Sequence, residues 1–248
     1  MAASLYRPGD TAVHRLPPEL KVAAALALTV AVVATPRTAL APYAVHAAVV
    51  AAVAALARVP AGWLLRRSLI ELPFVALALV LPFVGAGERV AWGGLHLSVA
   101  GLYAGWALLA KGTLGVWVAL LLAATTRAPD LVLALDRLRC PPVLTQIAAF
   151  MLRYLEVLRD EARRMRVARL SRGDDPRALW QARGFAVGLG ALFLRAYERG
   201  ERVYRAMLAR GYAGRLPDAD HPRPPLRQWL LACGPAAVSA AGLLLHLV

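Results

Sequence analysis

The chain has 248 residues, is 59% hydrophobic with a mean hydropathy of +0.55, and is too apolar for an ordinary soluble domain. Its net charge of +14 comes almost wholly from arginine, the lysines being Lys21 and Lys111. Residues 127–227 hold 20 of the 29 basic and 11 of the 15 acidic residues, a segregation that excludes a nucleic-acid surface and fits the cytoplasmic section of a membrane protein.

Cys140 and Cys233 lie far apart without metal-ligand spacing, so neither a disulfide framework nor a zinc site is indicated. Both read as buried small apolar residues. The first 21 residues lack the charged start, apolar run and small-residue cleavage site of a signal peptide. The first membrane helix is therefore expected to act as the targeting signal.

A membrane-spanning helix needs about 20 mostly apolar residues. The first candidate runs over 20–34 and stops at Thr35-Pro36; the second runs over 39–57 and is followed by Arg58, Arg66 and Arg67. A third covers 68–84, crossed by Pro73 and Pro82, which predict a kink that neighbouring helices tolerate. Residues 85–97 read as a glycine-rich turn with Trp92 at the membrane interface. The apolar stretch 98–126 carries Lys111 near its middle and is either one long tilted helix or two broken ones. A last span covers 228–248. Five spans with the N-terminus inside put the 58–67 loop and the basic block on the cytoplasmic side, leaving only Arg37 and Arg89 outside.

Within the basic block, 141–173 shows a stripe through Leu144, Ile147, Met151, Tyr154/Leu155, Leu158, Ala162, Met165 and Ala168 at helical steps. Asp174-Asp175-Pro176 has the capping acid and first-turn proline that restart a helix. The next stripe runs through Phe185, Leu189, Leu192, Ala196, Val203 and Met207. Glu198 with Arg202 and Glu201 with Arg205 have the favourable acid-first i,i+4 order. The helices end on Ser171-Arg172-Gly173 and Ala209-Arg210-Gly211. Arginine in a last turn with glycine beyond is ordinary stop chemistry. Two such endings on matched helices suggest a pair of docking tips for a two-fold symmetric partner. Each helix spans roughly 45 Å at 1.5 Å per residue, so helices starting at membrane depth end well inside the cytoplasm. The two stripes predict a crossing near Leu158 and Ala196, with Ala196 and Gly200 permitting close approach. The ordinary alternative is a pair of solvated helices packed on their own protein.

The residues themselves carry a resemblance. Phe150-Met151-Leu152-Arg153-Tyr154, continuing through Asp160-Glu161-Ala162-Arg163-Arg164-Met165 to Ser171-Arg172-Gly173, resembles the CbiQ family, the transmembrane T components of energy-coupling factor transporters. Arg195-Ala196-Tyr197-Glu198-Arg199-Gly200-Glu201-Arg202 to Gly211-Tyr212 resembles the family's second coupling helix, and Arg15-Leu16-Pro17-Pro18-Glu19-Leu20-Lys21 its approach to the first membrane helix. The resemblance covers the whole chain and is specific over about 150–212. It implies an all-α polytopic membrane protein with about five transmembrane helices and two long cytoplasmic coupling helices. The implied sections are a transmembrane bundle over 1–126, a coupling-helix region over 127–227 and a final span over 228–248.

The implied function is the energy-coupling scaffold of an importer in a bacterial or archaeal plasma membrane, serving cobalt or nickel uptake and cobalamin biosynthesis. The implied partners are an ABC-type ATPase dimer, a CbiM-like substrate-binding membrane subunit, a small accessory membrane subunit and the lipid bilayer. Ser171, Arg172, Gly173, Ala209, Arg210 and Gly211 would dock in the ATPases. Met151, Leu158, Met165, Leu189, Ala196, Gly200 and Val203 would form the helix crossing. Serine at 171 stands where many members have alanine, a small-for-small change.

No catalytic residue, cofactor or metal ligand is expected. His14, His46, His96, His221 and His246 are scattered, without ligand spacing, and read as loop or interface residues. Lys111 and Glu71 are ionisable groups in apolar stretches, which are costly there; the simpler reading pairs Lys111 with a polar group or sets it at a helix break. A phosphate-binding Gly-x-x-x-x-Gly-Lys-Ser/Thr loop is absent. The competing readings are an integral-membrane enzyme acting on an anionic lipid or phosphorylated substrate, and a membrane-anchored interaction scaffold unrelated to transport.

Overall fold

The computed structural model describes residues 5–86, 88–92, 95–173, 183–214 and 224–247. The restart expected at Asp174-Asp175-Pro176 lies outside them, as does His221. The chain divides into two compact units, Met1–Leu138 with Arg223–Val248, and Arg139–Pro222.

In the first unit a short turn of helix, α1 (Ala12–Arg15), precedes α2 (Pro18–Ala34). Pro17-Pro18 sets the start of α2, because proline in a first turn loses no helical hydrogen bond. Then come α3 (Leu40–Leu56), α4 (Ala61–Arg67), a 3-10 turn at Ser68–Glu71 and α5 (Leu72–Val84). The third expected span is therefore helical from Ala61, not Ser68. Pro73 sits in the first turn of α5 and Pro82 in its last, so the break falls on the 3-10 turn between α4 and α5. The long apolar stretch is one uninterrupted helix, α6 (Val99–Thr125), N-capped by Ser98. It is followed by α7 (Ala128–Arg137), and the chain returns as α10 (Leu226–Leu247).

Residues expected to form only a turn hold two short antiparallel strands, β1 (Arg89–Trp92) and β2 (Leu95–Ser98), with Trp92 opposite Leu95. Two glycines between short β-prone runs are a hairpin signal.

α2 packs against α6, α7 and α10, α10 also against α3, and α5 against α6. Val32, Val50, Leu114, Val118, Leu121 and Ala124 fill the core. Gly101 and Gly105 let α5 and α6 nearly touch: a Cβ would lie 2.4 Å from the Leu81 carbonyl oxygen at Gly101 and 2.7 Å from that of Ala78 at Gly105. This is small-residue packing of the kind membrane helices use. The outward faces are apolar too, with Val30, Ile70, Phe74, Val84 and Leu230 exposed. Ala61–Val84 and Val99–Thr125 are long and apolar enough to cross a membrane, and Leu40–Leu56 is a shorter apolar helix.

The second unit holds α8 (Pro142–Leu170) and α9 (Arg183–Ala209). α8 starts on Pro141-Pro142 by the same first-turn logic as α2.

Candidate docking tips and the helix pair that carries them

Both arginine–glycine endings are true helix stops. Gly173 and Gly211 have φ of +77° and +85°, the left-handed region that glycine occupies without strain. At the second ending the Gly211 amide donates to the Leu208 carbonyl and the Tyr212 amide to the Met207 carbonyl, each at 3.0 Å. That pair of bonds is the Schellman motif, which satisfies carbonyls the helix leaves open. The first ending makes the equivalent bond from Gly173 to Leu170, also at 3.0 Å. Ser171 adds a hydroxyl bond to the Val167 carbonyl, locking the last turn. Arg172 and Arg210 are exposed, and neither has an ion-pair or hydrogen-bonded side-chain partner among the described residues. Among the described residues, each guanidinium is an unpaired fork beside a capped helix end.

The two helices run antiparallel. Near the start of α8, the Gln146 amide donates to the Gly214 carbonyl at 3.1 Å, and the Tyr212 hydroxyl bonds the other end of that amide. Near the middles, Arg195 donates to Glu161 at 2.5 Å, with Arg199 4.0 Å from the second carboxylate oxygen. Near the end of α8, Arg169 comes close to Gly188 in the opening turns of α9. Arg172 and Arg210 therefore stand at opposite ends of the pair. The 26-residue step from Gln146 to Arg172, helical as far as Leu170, covers roughly 39 Å.

This corrects the expectation that both helices start shallow and end deep, since the end of α9 lies beside the start of α8. Leu158, Met165, Ala196 and Val203 are half-buried, whereas Met151 and Leu189 are exposed. Gly200 is exposed too, and a Cβ there would meet open space, so it does not bring the backbones together. On α8 the sheltered face runs through Tyr154, Leu158, Glu161, Met165 and Arg169, while Ala162 and Ala168 are exposed. Long charged side chains bridge the helices where close apolar packing was expected. The Phe185 side chain lies outside the description.

Sequence reasoning missed Glu161, Gln146 and Tyr212 as contact residues. Polar groups at helical spacing within an apolar stripe were the available signal. The expected pairs Glu198–Arg202 and Glu201–Arg205 do form, at 3.8 and 3.0 Å.

In the first unit the first turn of α2 is a clamp. Glu19, buried, accepts from Arg137 of α7 at 2.8 Å. Lys21, also buried, donates to the Thr125 carbonyl at the end of α6 at 2.8 Å and to the His14 carbonyl at 3.1 Å. A cation at the end of α6 complements that helix's dipole.

Lys111 donates to the Val33 carbonyl at 2.7 Å from within an unbroken helix. Glu71, buried on the 3-10 turn, accepts from Thr113 at 2.9 Å, and the Trp117 indole donates to Ser68 at 2.8 Å. These bonds fasten the 3-10 turn to α6.

His46 is fully buried, not a loop or interface residue. Thr35 donates its hydroxyl to the Ala31 carbonyl, which leaves its oxygen to accept from Nε2 of His46 at 2.9 Å. His14 does sit in the N-terminal turn, against Thr11. The side chains of His96 and His246 lie outside the description. Cys140 and Cys233 are free and half-buried. Among the described residues no three His, Cys, Asp or Glu side chains are grouped to hold a metal ion.

The chain is 30% identical over 233 residues to the energy-coupling factor transporter transmembrane protein EcfT of Bacillus selenitireducens, covering 84% of this chain and 82% of that one. It is 31% identical over 192 residues to the cobalt transport protein CbiQ of Rhodobacter capsulatus, covering 76% and 77%. It is 28% identical over 228 residues to EcfT of Listeria innocua, covering 86% and 85%. The family model CbiQ, described as cobalt transport protein, matches residues 9–221, a span that contains the clamp in the first turn of α2 and both arginine tips. The chain belongs to the CbiQ family.

Proposed function

We propose that this protein is the energy-coupling scaffold of an energy-coupling factor importer. The single observation that carries the reading is the pair of exposed arginines beside capped helix ends, at opposite ends of one antiparallel helix pair. A guanidinium fork can bond a carboxylate through two parallel hydrogen bonds. Two forks roughly 39 Å apart suit two equivalent grooves on an ATPase dimer. Ser171, Arg172 and Gly173 fill one groove, and Ala209, Arg210 and Gly211 fill the other. ATP binding closes the dimer and brings the grooves together. The helix pair shifts about the Glu161–Arg195 contact near its middle, and that shift reorients a membrane-embedded substrate-binding subunit. This chain supplies no catalytic group, and hydrolysis belongs to the ATPases.

The topology that goes with this reading has five spans, over α2, α3, α4–α5, α6 and α10, in a bacterial or archaeal plasma membrane with the N-terminus inside. The imported substrate is a cobalt ion, with nickel as the alternative, a reading supported by the name of the R. capsulatus relative and the family description. The test is co-purification of the full chain with an ABC-type ATPase, followed by radiolabelled cobalt and nickel uptake in the reconstituted complex. Failure to recruit any such ATPase would overturn the scaffold. Recruitment with uptake of neither metal would overturn the substrate alone.

A further inference from the structure

The first unit contains a cavity of about 350 Å³. Its walls are aliphatic, including Val13, Ala25, Leu28, Val53, Leu121 and Leu231, and its polar lining comes from Lys21 and Thr125. Lys21 uses two of its three N–H donors on backbone carbonyls, and the acid whose charge reaches it is Asp130 in the first turn of α7. At Thr125 the cavity adjoins a cluster of arginines. The Arg7 amide donates to the Ala124 carbonyl at 2.9 Å, and Arg127 follows Thr125 by two residues. Arg7 and Arg67 lie over the Trp63 ring, 5.8 and 4.8 Å from its centre, and Arg127 lies over Tyr6 at 5.2 Å. None of these three arginines has a carboxylate partner among the described residues.

A guanidinium held by its face against an aromatic ring keeps its in-plane N–H donors free at the edge. Three guanidinium groups held near aromatic rings, next to an aliphatic cavity, match one ligand chemistry, a phosphate joined to a long alkyl chain. We propose that this end of the first unit binds one anionic phospholipid. One acyl chain fills the cavity, and the phosphate lies on Arg7, Arg67 and Arg127 with Lys21 behind. The lipid ties the N-terminal segment, α4 and the α6–α7 junction together. The site needs the chain in a bilayer but does not depend on its coupling role.

The test is native mass spectrometry of the full, delipidated chain titrated with dioleoyl phosphatidylglycerol, dioleoyl phosphatidylcholine or inorganic phosphate. The native chain should retain one phosphatidylglycerol about tenfold more tightly than phosphatidylcholine. Arg7→Gln with Arg127→Gln, both at the surface, should bring the two lipids within about twofold of each other. Ala25→Phe, which fills the cavity, should weaken both lipids while circular dichroism shows unchanged helix content. Equal retention of the two lipids by the native chain would overturn the proposal, as would an unchanged preference in the arginine variant. If phosphate displaces the lipid and Ala25→Phe has no effect in a folded chain, the cavity does not hold an acyl chain and the proposal fails.

Discussion

Glu161 of α8 and Arg195 of α9 meet at 2.5 Å near the middles of their helices, and Arg164 and Arg199 approach the same carboxylate. The hydrogen bond from Arg195, and then that from Arg164, holds the Glu161 carboxyl below its ordinary range. A depressed folded-state value means the contact stabilises the pair above the ordinary carboxylate range and is lost as pH falls through the lowered value. Spin labels at the exposed positions Met151 and Leu208 should report one separation from neutrality down to about pH 5. The distribution should broaden only in stronger acid. Glu161→Gln should broaden it at every pH, and a separation indifferent to both changes would contradict the joint.

The docking tips should fail one at a time and then together. Arg172→Ala and Arg210→Ala should each weaken ATPase assembly or coupled uptake, and the double variant should lose most of both. Breaking a buried charge pair with a partner costs about 2–5 kcal/mol. Arg→Lys should also impair assembly, because a point charge cannot reproduce the fork. Pull-down with the ATPase subunits gives the answer, and normal assembly in the double variant would remove the docking assignment.

Ala196 lies next to Arg195 on the half-buried face of α9. A bulky side chain there should push the helices apart and lengthen the Glu161–Arg195 bond while leaving both tips capped. Ala196→Trp complexes should therefore hydrolyse ATP yet transport less per ATP. The measurement is the ratio of uptake to hydrolysis in proteoliposomes holding all subunits, and an unchanged ratio would mean that the stroke does not pass through this contact.

Glu19 and Arg137 form a clamp whose value lies in being complete. Arg137→Ala leaves a buried carboxylate without its cation and should cost about 3–5 kcal/mol. Replacing both, Glu19→Leu with Arg137→Leu, should recover much of that loss, because the desolvated charge is gone. Thermal unfolding in detergent separates the cases. Equal melting of the single and double variants would show that the pair is not coupled.

The arginine asymmetry predicts which side of the membrane each loop faces. Single cysteines at Gly62, Ala128 and Asp174, placed after Cys140 and Cys233 are replaced, should label only from the cytoplasm. Those at Arg37 and Val90 should label from outside. Outside labelling at position 174 would refute the coupling-helix topology.

Much of this architecture is legible in the chain because membrane helices advertise themselves by length and apolarity. Pro18 and Pro142 mark helix starts, and Gly173 and Gly211 mark ends, because each chemistry suits one position only. What was not legible depends on neighbours distant in sequence. Pro73 looks like a kink until the 3-10 turn before it puts it in a first turn. Gly101 and Gly105 look like filler until Leu81 and Ala78 press against them. The direction of α9 relative to α8 is fixed by Gln146 and Tyr212, 66 residues apart, and no local pattern carries that information. Gly200 suits close approach by its small size, whereas the contact is made by the reach of arginine and glutamate side chains.

The Gln146–Tyr212 link has a mechanical consequence. Arg172 forms one end of α8, and Arg210, two residues before Tyr212, is fastened to the other. If the two tips are drawn toward each other, α8 is loaded as a strut under axial compression. A helix of 29 residues, with hydrogen bonds running along its length, resists shortening, so the load is relieved by tilting the rod. Labels at Val143 and Leu170 should then keep a fixed separation through the ATP cycle while their orientation to the membrane normal changes; a shortening between them would mean that α8 buckles.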